Sequence, residues 1–143
     1  MHRNHRFAVG FLALVLAGLW VSAAWGEGKE VKPIKEWGGR VDRDRLKGAP
    51  AGDHITNAKD LAKLWKALQI KDKMPKVDFK KELVLVAMNN CGNLTMKLKL
   101  DAEGNLTINL LGTTIATFDL GYRIALIKRE GIKKINGKAL PKG

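Results

Sequence analysis

The chain has 143 residues, 45% of them hydrophobic, and its 26 Lys and Arg against 14 Asp and Glu give a formal charge of +12. Its single cysteine excludes an internal disulfide, and its single serine, Ser22, lies in an N-terminal apolar segment, which excludes a serine hydrolase in the remainder of the chain. With His54 the only histidine beyond residue 5, that remainder also lacks the three or four ligands of a zinc site.

Residues 1–26 run from a basic start, MHRNHR, through the apolar FAVGFLALVLAGLWV to the small-residue stretch SAAWG, the layout of a secretory signal peptide. Export to the periplasm or the medium is the expectation. An uncleaved N-terminal membrane anchor is the alternative, because Phe7 to Gly26 carries no charge and about 20 apolar residues span a bilayer. No cysteine stands where a lipoprotein would be acylated. Without Arg3 and Arg6, 24 basic residues remain against 14 acidic ones, about +10, on 117 residues, enough for one core.

Residues 27–52 are polar and rich in alternating charge, a linker or an N-terminal strand region with a short strand near Ile34–Val41. In ITNAKDLAKLWKALQI, Asn57 is placed to cap a helix, Asp60 suits its first turn and Lys66 its last. Leu61, Leu64, Trp65 and Leu68 recur at i, i+3, i+4 and i+7, one apolar stripe. Next, PKVDFKK leads into the unbroken apolar run Leu83–Met88, a strand covered on both faces. NNCGN has the residues of a tight reversal, and alternation through Leu94, Met96, Leu98 and Leu100, then Leu106, Ile108 and Leu110, predicts a hairpin turning at Gly104. TTIATFDL and YRIALIKR continue as strands, and Asn136-Gly137 predicts a last tight hairpin. The expected fold of residues 53–143 is a small α+β domain: one amphipathic helix on a mostly antiparallel sheet of about five to seven strands.

Reactive groups are sparse. Asp78 and Glu82 precede the central strand and Cys91 follows it, an arrangement that strand-boundary turns explain without catalysis. A Cys91–His54 dyad lacks any local activating feature, and Cys91 reads as a small buried apolar residue. Asp42, Asp44 and Asp53 imitate the first, third and twelfth positions of a calcium loop, but Leu46 takes a ligand position and Arg43, Arg45 and Lys47 repel a cation. No spacing singles out a carboxylate pair among Asp78, Glu82 and Asp119. Neither a catalytic set nor a cofactor site is expected.

The positive charge favours anionic company: an acidic protein face, an anionic polymer or a lipid surface. Lys97, Lys99, Lys128, Arg129, Lys133 and Lys134 are the candidate contact residues, and a solvated lysine-rich surface is the plainer alternative. The aromatics Trp37, Trp65, Phe79, Phe118 and Tyr122 form no stacking strip, which with export argues against nucleic acid. Taken together, ITNAKDLAKLWKAL, MPKVDFKKELVLVAM and YRIALIKREGIKKINGKALP resemble the C-terminal domain of PrcB-type protease-complex subunits and related small exported bacterial proteins, over roughly residues 53–140. That resemblance implies a non-enzymatic accessory domain that stabilises or binds another envelope protein. It implies no catalytic residue.

Overall fold

A computed structural model describes residues 28–114 and 118–141; residues 1–26, where a signal peptide or membrane anchor is expected, lie outside the described residues. Nine strands and one α-helix follow one another as β1 Lys29–Glu30, β2 Lys35–Asp42, β3 His54–Ile55, α1 Ala58–Ala67, β4 Glu82–Asn89, β5 Cys91–Leu100, β6 Asn105–Thr114, β7 Asp119–Lys128, β8 Lys134–Ile135 and β9 Lys138–Ala139. A 3-10 turn, Arg43–Leu46, is capped by the Asp42 side chain. Among the described residues no helix is long and apolar enough to cross a membrane.

Helix α1 starts where its capping chemistry dictates. Asn57 is extended and its Oδ1 accepts the Asp60 amide at 2.8 Å, satisfying one of the donors a helix N-terminus leaves open. The helix ends at Leu68, and Gln69 takes a positive φ of 52° to turn the chain away. Leu61, Leu64, Trp65 and Leu68 are all buried on one face, contributing roughly 1.5–3 kcal/mol each before entropy is charged against them. The Trp65 indole N–H donates to the Asp72 carbonyl, and its ring meets Trp37 edge-on at 5.0 Å.

Two sheets form. One has the order β2-β7-β4-β3, the other β1-β5-β6-β8-β9, and all pairings are antiparallel except β6 with β8. The layers are helix, four-stranded sheet, five-stranded sheet. Alternation along β4 makes this visible: Val84 and Val86 join the helix-side core with Trp37, Leu64 and Ile124, whereas Leu83, Leu85 and Ala87 join a second core with Leu98, Leu106 and Ile127. The unbroken apolar run is therefore a strand between two cores, as its pattern predicts.

The α+β class, the single helix among the described residues and the mostly antiparallel pairing agree with the sequence reading; the described residues form nine strands rather than five to seven, four of them two residues long. The strands also divide into two sheets, where the sequence predicts a single sheet beneath the helix. Cys91 differs too. NNCGN is no hairpin turn: Asn90 alone is the bend by which the chain passes from one sheet to the other, and Cys91 already begins β5. The pairing slips between Cys91 and Leu94, a β-bulge that bends β5 so that Cys91 is buried between the sheets. The stretch TTIATFDL ends β6 and begins β7, with residues 115–117 outside the described residues. Asn136 and Gly137 adopt φ of 47° and 79°, the left-handed pair that a tight hairpin turn requires.

Residues 29–42 belong to both sheets. β1 pairs with the end of β5 and β2 runs along β7 from Asp119 to Leu126, so the Val31–Ile34 connection crosses the end of the sandwich from one sheet to the other. That crossing walls one side of a groove.

Candidate functional site

At the end of the sandwich where β4 starts and β7 finishes, a groove of about 600 Å³ is lined by Ile34, Lys80–Glu82, Lys128–Glu130 and Ile132. A second hollow of about 480 Å³ shares Ile34, Lys128, Glu130 and Ile132 and extends past Pro33, Lys32 and Val31 to Lys29 and Leu100. The shared residues make one continuous feature. Its floor is apolar, with Ile34 half-exposed at 51% and Ile132 buried. Its rim is basic.

Lys29, Lys32, Lys80, Lys81 and Lys128 stand on that rim, and among the described residues none forms a salt bridge. Glu30, Glu82 and Glu130 share the groove, and Glu82 serves the fold, accepting the Asp78 amide at 3.0 Å. Six basic against three acidic side chains leave the groove at about +3. The excess of clustered cationic groups is mutually repulsive, so an anion that enters relieves it and gains their attraction. Phe79 and Val77 pack on the helix-side core, and the Asp78 carboxylate accepts the Lys80 amide; that turn is what sets Lys80 and Lys81 at the rim.

The six basic residues singled out from the sequence are not gathered. Lys97, Lys99 and Lys134 point outward from the five-stranded sheet, on the opposite face from Leu98, Leu106 and Ile135. Lys133 lies against Gly104, beside the turn of the β5–β6 hairpin. Lys128 and Arg129 alone line the groove, and Arg129 has structural work: its guanidinium donates to the Phe79 carbonyl at 3.0 Å and the Pro141 carbonyl at 2.8 Å. Lys29, Lys32, Lys80 and Lys81 escape a sequence reading because they come from segments about 50 residues apart. Their common signal, a basic residue beside Pro33-Ile34 and another pair before the β4 run, acquires meaning only when the crossing connection brings them together.

The residues considered for catalysis do not converge. His54 pairs with Leu85 at the sheet edge and its Nδ1 lies 2.7 Å from Asp53 Oδ1. Cys91 lies beyond the end of β4, on the order of 20 Å along the strand at about 3.3 Å per residue. Asp42, considered as a calcium-loop ligand, is occupied in capping the 3-10 turn.

A smaller cleft of about 420 Å³ lies at the opposite end, lined by Gly38, Gly39, Arg40, Gly92, Asn93, Leu94, Tyr122 and Arg123. Its two guanidinium groups are engaged. Arg123 Nε donates to the Leu94 carbonyl at 2.9 Å, joining the two sheets, and Arg40 lies 3.9 Å from Asp119. Gly38 and Gly39 leave room for these side chains: a Cβ would come to 3.0 Å from Arg123 Nη1 at the first and 2.8 Å from the Tyr122 hydroxyl at the second, so the two side chains would have to shift. Burial, with the Asp72 charge as the lesser cause, pushes the Tyr122 phenol above its ordinary 10.0. Folding then holds the phenol proton more tightly than the unfolded chain does, so stability should fall as pH rises above 10.0. Tyr122→Phe should flatten that fall in denaturant titrations taken at successive pH values; an unchanged slope would assign it to other groups.

No protein-family model, curated protein or solved structure matches this chain.

Proposed function

We propose that the chain is an exported, non-enzymatic accessory domain that binds another envelope protein through the basic groove, taking an acidic segment that carries apolar side chains. The observation behind this reading is the combination at one place of five lysines that form no salt bridge among the described residues and an apolar floor centred on Ile34. Charge supplies attraction and steering, and the floor supplies contact that salt does not screen. The resemblance to PrcB-type C-terminal domains implies an accessory role of the same kind.

An anionic polymer or lipid surface is the rival occupant, because a basic rim alone would serve it. Fluorescence anisotropy with a labelled peptide alternating glutamate and leucine, beside polyglutamate and vesicles with and without anionic lipid, distinguishes them. The proposal expects the mixed peptide to bind best, with affinity falling roughly tenfold between about 0.05 and 0.5 M salt. Preference for anionic vesicles would move the assignment to the membrane surface; salt-insensitive or absent binding of every probe would end it.

A further inference from the structure

The longest uncharged run beyond residue 26 is Gly104–Phe118, fifteen residues in a chain whose 143 include 40 charged ones. Strand β6 occupies most of it. One edge of β6 pairs with β5 along its length; the other meets β8 only at Asn105 and Leu106, after which Asn136 Oδ1 accepts the Ile108 amide. Backbone groups of alternate residues point to the same edge, so Leu110 and Gly112 direct their N–H and C=O outward as Ile108 does. Neither has a strand partner on that side among the described residues. Along this open edge Leu110 is 39% exposed and Leu111 50%.

Open edges are normally guarded by charge, proline or brevity. Here β2 carries Lys35, Glu36 and Arg40, and β1, β3 and β9 are two residues long. β6 has no such guard from Leu110 to Thr114.

The geometry points to this edge as the place where a second copy of the chain docks, β6 against β6, antiparallel and centred on Gly112. Charge selects the occupant. Two copies of a protein with a formal charge of +12 bring lysine against lysine over most of their surfaces, and this uncharged edge is where they meet without that repulsion. An acidic partner gains no charge attraction here and is drawn to the groove instead. A strand edge is also self-complementary about a two-fold axis, its donors meeting the copy's acceptors and the reverse. Centring on Gly112 sets Leu111 of one copy across from Thr113 of the other, on the solvent face and between hydrogen-bonded pairs. The contact is short, well below the size of a standard interface, so association is weak and concentration-dependent. It does not depend on the groove.

Disulfide trapping in the full chain tests the pairing. Residues across a non-hydrogen-bonded pair have Cα atoms about 4.5 Å apart, within disulfide reach, whereas a single position meets its own copy only diagonally, at about 7 Å or more. Oxidation of the Leu111→Cys/Thr113→Cys double variant should yield roughly tenfold more dimer on a non-reducing gel than either single variant or Thr95→Cys on β5. The yield should rise as salt is raised from about 0.05 to 0.5 M, because screening weakens the repulsion between copies. Cys91 is buried and the wild type controls for it. No excess over the single variants, equal trapping at Thr95→Cys, a ladder of larger species, or a yield that falls with salt would each overturn the pairing. Without engineered thiols, light scattering of the detergent-solubilised wild type should move from monomer toward dimer with concentration, and Leu111→Lys should hold it at monomer; a dimer that survives Leu111→Lys also overturns it.

Discussion

Replacing Lys80, Lys81 and Lys128 together by glutamine should weaken binding of the mixed glutamate–leucine peptide about tenfold at low salt. Exposed ion pairs contribute roughly 0.2–1 kcal/mol each, so three sum to about 1.4 kcal/mol, one decade in affinity. The three side chains stand on one rim and form no salt bridges within the described residues, so their removal orphans no carboxylate. At about 0.5 M salt the difference between wild type and triple variant should nearly vanish, since the screening length is then only a few ångströms. Ile34→Ser should behave in the opposite way. It removes half-exposed apolar floor and should cost a few-fold at every salt concentration. Titrations of wild type and both variants over a salt series separate the two contributions. A triple variant that binds like wild type at low salt would remove the groove from the interaction. Outward lysines serve as the control: Lys97→Gln/Lys99→Gln, on the outer face of the five-stranded sheet, should leave the affinity unchanged.

The largest effect on stability is expected at Gly121→Ala. At the corner where the two sheets join, the added Cβ would run into the Cys91 carbonyl, a backbone atom held by the bulge that opens β5. Gly121 is itself paired with Asn89 on one side and Arg40 on the other, so β7 cannot retreat without breaking central ladders. Overpacking of this kind costs typically 1–3 kcal/mol and more when backbone must move; about 3 kcal/mol is expected here. Gly48→Ala is the comparison. No heavy atom lies within 4 Å of its added Cβ, and only the positive φ of 83° opposes it, for about 1 kcal/mol. Urea titrations should show the first midpoint displaced far more than the second with equal slopes. Equal displacement of the two would mean that the corner yields more easily than its ladders suggest.

Local signals read correctly where the physics is local. The Asn57 cap, the Leu61–Leu68 stripe, the alternation of β5 and the Asn136-Gly137 turn each concern groups within a few residues of one another, and each has its expected form, whereas in β6 the buried alternation ends at Ile108 and Leu110 is exposed. Cys91 shows the limit. Its neighbours have turn chemistry, but the turn is confined to Asn90 because β5 leaves for a different sheet. Arg129 shows it again: a surface cation by sequence, it closes hydrogen bonds to carbonyls 50 residues before it and 12 after.

The amino-acid order by itself determined the α+β class, the helix and its buried face, and the doubly covered central strand, since propensity, capping and periodicity act over one or two turns of chain. Tertiary structure alone decided that the strands form two sheets and which lysines share a groove. Those outcomes depend on where the Val31–Ile34 crossing lands against β7 and on which strand edges stay unpaired, and no window of sequence contains both sides of such a contact. Pairing between distant segments is settled by joint burial of apolar faces, and side-chain charge is then carried to wherever that burial leaves it.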